Sequence, residues 1–149
     1  MNIVFDLDGT LADCEHRMHY ITGGGPRDWQ SFNLACPKDK PIWQTVNLFD
    51  ALGRDAKNTL AIWTGRGEEV RRETEIWLVE HLGFQYNFCD LKMRAVGDYT
   101  EDHILKERWF NEAKNNNFHI HLALDDRARV IEMWRRNGVL AYHVTDGFF

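Results

Sequence analysis

Residues 3–10 read IVFDLDGT, and no other stretch restricts the possible folds as much. A short apolar run that ends at a turn predicts a buried strand feeding a loop. Side chains two apart on a strand share a face, so Asp6 and Asp8 are predicted to project into one site just past its end. Two carboxylates held that close repel unless a cation or a shared proton compensates. They invite a metal, or a division of labour between nucleophile and acid. A lone Asp-x-Asp is as readily a strand end with turn-forming residues, so the rest of the chain must decide.

At 149 residues, 44% hydrophobic and 28% charged, the chain is expected to form a single domain over 1–149. That length buries a core without disulfide or metal support. A net charge of −5 argues against non-specific binding of polyanions, although local basic patches outweigh the total. Cys14, Cys36 and Cys89 are odd in number, far apart, and lack zinc-type spacing with His. A reduced, cytoplasmic (intracellular) chain is the expectation. The first strand begins at once, leaving no room for a signal peptide, and no apolar run nears the ~20 residues of a membrane span.

Residues 13–40 are polar and irregular, with GGGP at 23–26 and Pro37, and read as a small insert containing Trp29 and Phe32. A helix is predicted over 41–52, stopping at Gly53. TLAIW at 59–63 is a second buried strand running into Thr64-Gly65-Arg66, and a second helix follows over about 67–82. Residues 84–91 are a weaker strand. A third helix, capped by Thr100 or Asp102, carries Ile104, Leu105, Trp109 and Phe110. A strand over 119–124 ends in Asp125-Asp126-Arg127. A fourth helix closes at Asn137-Gly138, and 139–144 is the last strand. Such alternation indicates parallel βαβ units in a sheet covered on both faces.

In such sheets ligands bind beyond the carboxyl ends of the strands. Asp6/Asp8, Thr64/Arg66 and Asp125/Asp126 all fall at those tips. Four converging carboxylates suit a hard cation such as Mg²⁺. Thr64 offers a hydroxyl and Arg66 a planar donor for phosphate oxygens. Lys106 follows Asp102 at i+4; it adds a positive charge or is only that residue's helical partner. Together they describe phosphoryl transfer through an aspartyl-phosphate. One of Asp125 and Asp126 also serves as a cap for the fourth helix in the plainer reading. Trp29 and Phe32 are candidates for stacking a base or for packing.

The ordered set DxDGT, strand-Thr-Gly-Arg, Lys and strand-Asp-Asp resembles the haloacid dehalogenase (HAD) superfamily of phosphohydrolases. A narrower resemblance is to the 3′-phosphatase domain of phage polynucleotide kinase-phosphatase. It is carried by Arg17, by 94–106 with Gly97-Asp98, Asp102 and Lys106, by LALDDRARVIEMWRRNGV at 122–139, and by VTDGFF at 144–149. The resemblance implies an α/β Rossmann-like fold with a short insert in place of a large cap domain. It implies Asp6 as nucleophile and Asp8 as acid and base. Mg²⁺ would be held by Asp6, the main-chain carbonyl of Asp8, and Asp126 with or without Asp125. Thr64 and Lys106 would grip phosphate oxygens, and Arg17, Arg66, Arg94 and Asp102 would serve phosphate, substrate or the integrity of the site. A GxxxxGK[ST] loop is absent from these residues, so no 5′-kinase activity is expected of them.

The function so implied is removal of 3′-terminal phosphate from DNA or RNA ends. A nucleotidase or small-molecule phosphatase of the same superfamily is the first alternative. A non-catalytic protein that binds nucleic-acid ends is the second, and the intact carboxylate set counts against it.

Overall fold

The computed structural model describes residues 1–83 and 89–145. In chain order its elements are β1 (Asn2–Phe5), β2 (Ala12–Asp13), α1 (His19–Thr22), α2 (Trp29–Leu34), β3 (Lys40–Pro41), α3 (Trp43–Gly53), β4 (Thr59–Gly67), α4 (Arg71–Leu82), β5 (Asp90–Arg94), α5 (Asp102–Asn115), β6 (Leu122–Asp125), α6 (Ala128–Arg136) and β7 (Leu140–His143). Five strands form a parallel sheet in the order β5-β4-β1-β6-β7. The chain leaves β1 toward β4 and β5, then crosses back to β6, so the direction of winding reverses at β1. That is the position where sheets of this class leave a crevice for ligands.

Alternating side chains on the strands build two cores. Ile3, Phe5, Leu60, Ile62 and Leu124 face α3 and α4, meeting Val46, Phe49, Trp77, Leu78 and Leu82. Val4, Ala61, Trp63, Ala123 and Ala141 face α5 and α6, meeting Leu105, Trp109, Phe110, Val130, Ile131 and Trp134. The three alanines on that second face leave room for large rings: Trp63 lies 5.6 Å from Trp134 and 6.0 Å from Trp109 between centroids. Both faces of the sheet are therefore covered, as the near-continuous apolar strands require.

Several boundaries differ from expectation, among them the start of α4 at Arg71 rather than about 67 and the N-cap of α5, which is Glu101 rather than Thr100 or Asp102. Thr64, Gly65 and Arg66 lie within β4, because pairing with β5 is resumed at Gly67↔Arg94 after an irregularity. The weak strand expected over 84–91 falls partly outside the described residues; what is described is β5, which places Arg94 on a strand. The strand expected over 119–124 is confined to β6, and His121 instead accepts a hydrogen bond from the Asn2 amide at 3.0 Å. The irregular insert is tied at its base where β2 pairs with β3, Ala12 to Pro41 and Asp13 to Lys40. Among the described residues, no helix is long and apolar enough to cross a membrane.

Candidate active site

β1 and β6 are neighbours in register, Phe5 opposite Leu124, so the next residues along, Asp6 and Asp125, emerge side by side. Lys106, one turn into α5, reaches both: its Nζ donates to Asp6 Oδ1 at 2.6 Å and to Asp125 Oδ2 at 2.7 Å. It is therefore more than the helical partner of Asp102, whose charge also acts on it. Asp6, Asp125 and Asp126 each present an oxygen within 4.8 Å of the others. Asp126 Oδ1 is buried with no hydrogen-bond partner among the described residues. Three buried carboxylates share one bonded ammonium, and the neighbouring Arg127 guanidinium also acts on them while bonded to Asp102. Burial pushes the Asp6 carboxyl well up, partly opposed by Lys106, and burial together with Asp125 raises Asp126 to about 7. Burial disfavours the Lys106 ammonium, but Asp125 and Asp6 outweigh it and keep the charge. An orphaned buried oxygen among hard oxygen donors fits a divalent cation such as Mg²⁺. Gly9 makes the close approach possible: its φ is +79°, and a Cβ there would stand 2.3 Å from Asp126 Oδ2.

Asp8 belongs to a second cluster. Arg66 donates to Asp8 Oδ1 through Nε at 2.9 Å and Nη2 at 2.6 Å, and Arg17 Nη2 donates to the same oxygen at 2.7 Å. Both guanidiniums also bind Asp39: Arg17 at 2.7 Å to each oxygen, Arg66 at 2.5 Å. All of this is buried. Burial would raise the Asp8 carboxyl, but Arg66 and Arg17 prevail and hold it at about 2. Arg17 and Arg66, expected to serve phosphate, substrate or the integrity of the site, are held on carboxylates here, and Phe32 lies beneath Arg17 with the guanidinium 4.0 Å from its ring centre. Phe32 is accordingly packed, whereas Trp29 is partly exposed under Arg27. Thr64 is buried at the same edge, its Oγ accepting from the Arg66 amide at 3.2 Å. Cys14 nearby is inert: burial pushes its thiol up to about 12.

A third cluster sits at the start of α5. Asp102 accepts from Arg94 Nη2 on one oxygen and Arg127 Nη1 on the other. Arg94 is otherwise spent on the backbone, donating to Gly65 O at 3.0 Å, Asp98 O at 3.2 Å and Thr100 O at 2.5 Å. Gly65 makes room for this group, since a Cβ there would lie 2.8 Å from Asp102 Oδ1. Neither Asp125 nor Asp126 caps α6; its N-cap is Arg127, whose amide donates to Asp125 Oδ1 at 3.1 Å.

Sequence reasoning missed two residues of this site. Asp39 lies in an irregular stretch, and no spacing marked it. Arg127 was visible in the Asp-Asp-Arg string, where only the acids were assigned roles.

The sheet order, the strand-tip carboxylates and the buried lysine define a HAD-type phosphohydrolase. The family model for the polynucleotide kinase PNKP phosphatase domain matches residues 1–149, and the chain belongs to that family. It is thereby a phosphoric monoester hydrolase. One relative is 23% identical over 133 residues, a protein of Autographa californica nuclear polyhedrosis virus described as a bifunctional polynucleotide kinase/RNA ligase; the match covers 89% of this chain and 17% of the relative. Among solved structures, the Pnkp1/Rnl/Hen1 RNA repair complex contains a chain 26% identical with a TM-score of 0.75, over 99% of this chain and 43% of that one. The fold alone is shared with a haloacid dehalogenase-like hydrolase of Streptococcus pneumoniae, 17% identical with a TM-score of 0.63, over 99% of this chain and 85% of that one. The chain thus spans less than half of the first two proteins.

Proposed function

We propose that residues 1–149, with 13–40 as an insert beside the site, act as one Mg²⁺-dependent phosphatase that removes the 3′-terminal phosphate of polynucleotides. The observation that carries the reading is the pairing of Asp6 with Lys106 beside two further acids, while Asp8 is held apart by two buried arginines. Asp6 Oδ is the nucleophile and takes the phosphoryl group. Lys106 neutralises charge on the phosphoryl oxygens and partly opposes the burial that disfavours the Asp6 carboxylate. Thr64 offers its hydroxyl to a phosphoryl oxygen. Asp6, Asp125 and Asp126, with the main-chain carbonyl of Asp8, would hold the Mg²⁺. When bound, the cation supplies electrostatic stabilisation of the charge that builds on the phosphoryl oxygens.

Asp8 protonates the leaving 3′-oxygen and then takes a proton from the water that cleaves the aspartyl-phosphate. In the free protein its two arginines keep it ionised. A phosphate dianion arriving beside it carries like charge and pushes the carboxyl up, which favours uptake of the proton it must give. The family's description and the RNA-repair setting of one structural relative support a polynucleotide substrate.

The test is Mg²⁺-dependent phosphate release from one oligonucleotide phosphorylated at its 3′ or 5′ end, alongside 3′- and 5′-mononucleotides. Preference for the 3′-phosphorylated oligonucleotide is expected. Asp6→Asn should lower the rate at least about 10⁴-fold, as loss of a nucleophile does, and EDTA should abolish it. Preference for a mononucleotide would make the protein a nucleotidase. Full biological activity in Asp6→Asn would make it a non-catalytic end-binding protein.

A further inference from the structure

The N–H groups that the Asp8 carboxylate accepts all end on one oxygen. Arg66 Nε at 2.9 Å, Arg66 Nη2 at 2.6 Å and Arg17 Nη2 at 2.7 Å donate to Oδ1. Among the described residues no hydrogen bond ends on Oδ2, and Oδ2 is not one of the buried unpartnered oxygens. It is therefore the open oxygen. Asp8 keeps 12% of its side chain exposed, whereas Arg17, Arg66 and Asp39 keep none. A protonated carboxyl has one hydroxyl and one acceptor oxygen. With donors already crowded onto Oδ1, the proton has its place on Oδ2.

Asp39 is what makes the two arginines converge. Arg17 Nη2 donates to Asp39 Oδ2 at 2.7 Å, and Arg66 Nη2 donates to the same oxygen at 2.5 Å. Those are the same two nitrogens that meet on Asp8 Oδ1. Two nitrogens, each with two protons to give, and two carboxylate oxygens thus close a ring of alternating charge. Arg17 Nε adds a bond to Asp39 Oδ1 at 2.7 Å, and His16 Nε2 lies 2.8 Å from that oxygen. The Asp39 backbone is anchored as well: its amide donates to Cys36 O at 3.1 Å and its carbonyl accepts from Trp77 Nε1 at 2.8 Å. A carboxylate that merely neutralised two guanidiniums would not need to share their Asp8-bound nitrogens.

We propose that Asp39 is the positioning residue of the acid–base step: it holds both guanidiniums on Asp8 Oδ1 and so assigns proton transfer to Oδ2. This rests on the phosphatase reading above. As Asp6 bonds to phosphorus and the ester P–O bond breaks, the proton on Oδ2 passes to the leaving oxygen. Oδ2 then takes a proton from the water that attacks the aspartyl-phosphate. Asp39 acts only through Arg17 and Arg66.

The experiment compares kcat/KM, with Mg²⁺ present, for p-nitrophenyl phosphate, phenyl phosphate and a 3′-phosphorylated oligonucleotide. The nitrophenolate leaves without a proton, and the other two leaving groups need one. General acid catalysis contributes about 10²–10⁴-fold, and a misplaced acid forfeits part of it. Asp39→Asn turns one acceptor of the network into a donor. It should lower kcat/KM for phenyl phosphate and the oligonucleotide about tenfold more than for p-nitrophenyl phosphate. Arg17→Lys keeps the charge without the fork and breaks the same ring from its other side. It should show the same selective loss, and it carries the test if Asp39→Asn does not fold. A loss of equal size on all three esters, or no loss, would make Asp39 a structural counter-ion and overturn the assignment while the phosphatase reading stands. If the unsubstituted protein hydrolyses none of the three, that reading fails and this inference fails with it.

Discussion

Around Asp6, three carboxylates face one ammonium; around Asp8, two carboxylates face two guanidiniums. The two aspartates are separated by a single residue, yet burial drives the carboxyl of Asp6 up while the arginines hold Asp8 at about 2. The contrast teaches that environment, not residue type, divides the labour. The first cluster is left with more bonded carboxylate than ammonium, and it is there that we seat a cation and a phosphoryl group. The second is balanced in its bonded charges and buried, and holds one carboxylate in place.

The largest effect should come from breaking the first cluster. Lys106→Met leaves buried carboxylates without their internal cation, a loss worth about 3–5 kcal/mol for a broken buried pair, with phosphate release down on the order of 10³-fold. Thermal denaturation should show Mg²⁺ stabilising this variant more than the unsubstituted protein, because the ion meets a larger charge excess. Equal Mg²⁺ shifts would mean that Lys106 does not compensate the carboxylates.

Asp39→Asn tests the second cluster. It leaves Arg17 and Arg66 with Asp8 as their one acidic partner among the described residues, and we expect a loss of about 3 kcal/mol. Because Asp39 touches no reacting atom, phosphate release per folded molecule should fall less than in Lys106→Met. A drop as deep as that of Lys106→Met would show that the two clusters act as one. The smallest effect calibrates the others: Arg54→Ala removes an exposed i,i+4 pair with Asp50 and should change stability by about 0.5 kcal/mol or less. A larger shift in chemical denaturation would mean that pair burial does not explain the ranking.

Much of this comparison was legible before folding. The alternation of short apolar runs with helical stretches gave the sheet covered on both faces, and strand ends placed Asp6, Asp8, Asp125 and Asp126, because period and turn chemistry are local properties. Lys106 was legible as a charge on a helix, but its partner was not, since Asp102 at i+4 competed with two carboxylates distant in sequence. Arg17 and Arg66 were read as serving phosphate, substrate or the integrity of the site, and their carboxylate partners were not legible, because an arginine offers the same fork to a phosphate and to a carboxylate. Asp39 escaped because only closure of the insert over β4 and α4 buries it, where Trp77 Nε1 also donates to its carbonyl at 2.8 Å. The end of β4 was misplaced because the bulged pairing with β5 is a property of two strands at once.

Lys106 and Asp6 meet across 100 positions of sequence, and Arg66 and Asp8 across 58. Closing loops of that length is entropically expensive, and contacts of such separation form late. In refolding, helical signal should therefore return ahead of catalytic turnover. The central strand must wait for β6 and α5 before Asp6 meets the lysine that bridges it to Asp125. Activity in this chain reports that the last long-range contacts have closed, a sharper gauge of the native state than secondary structure.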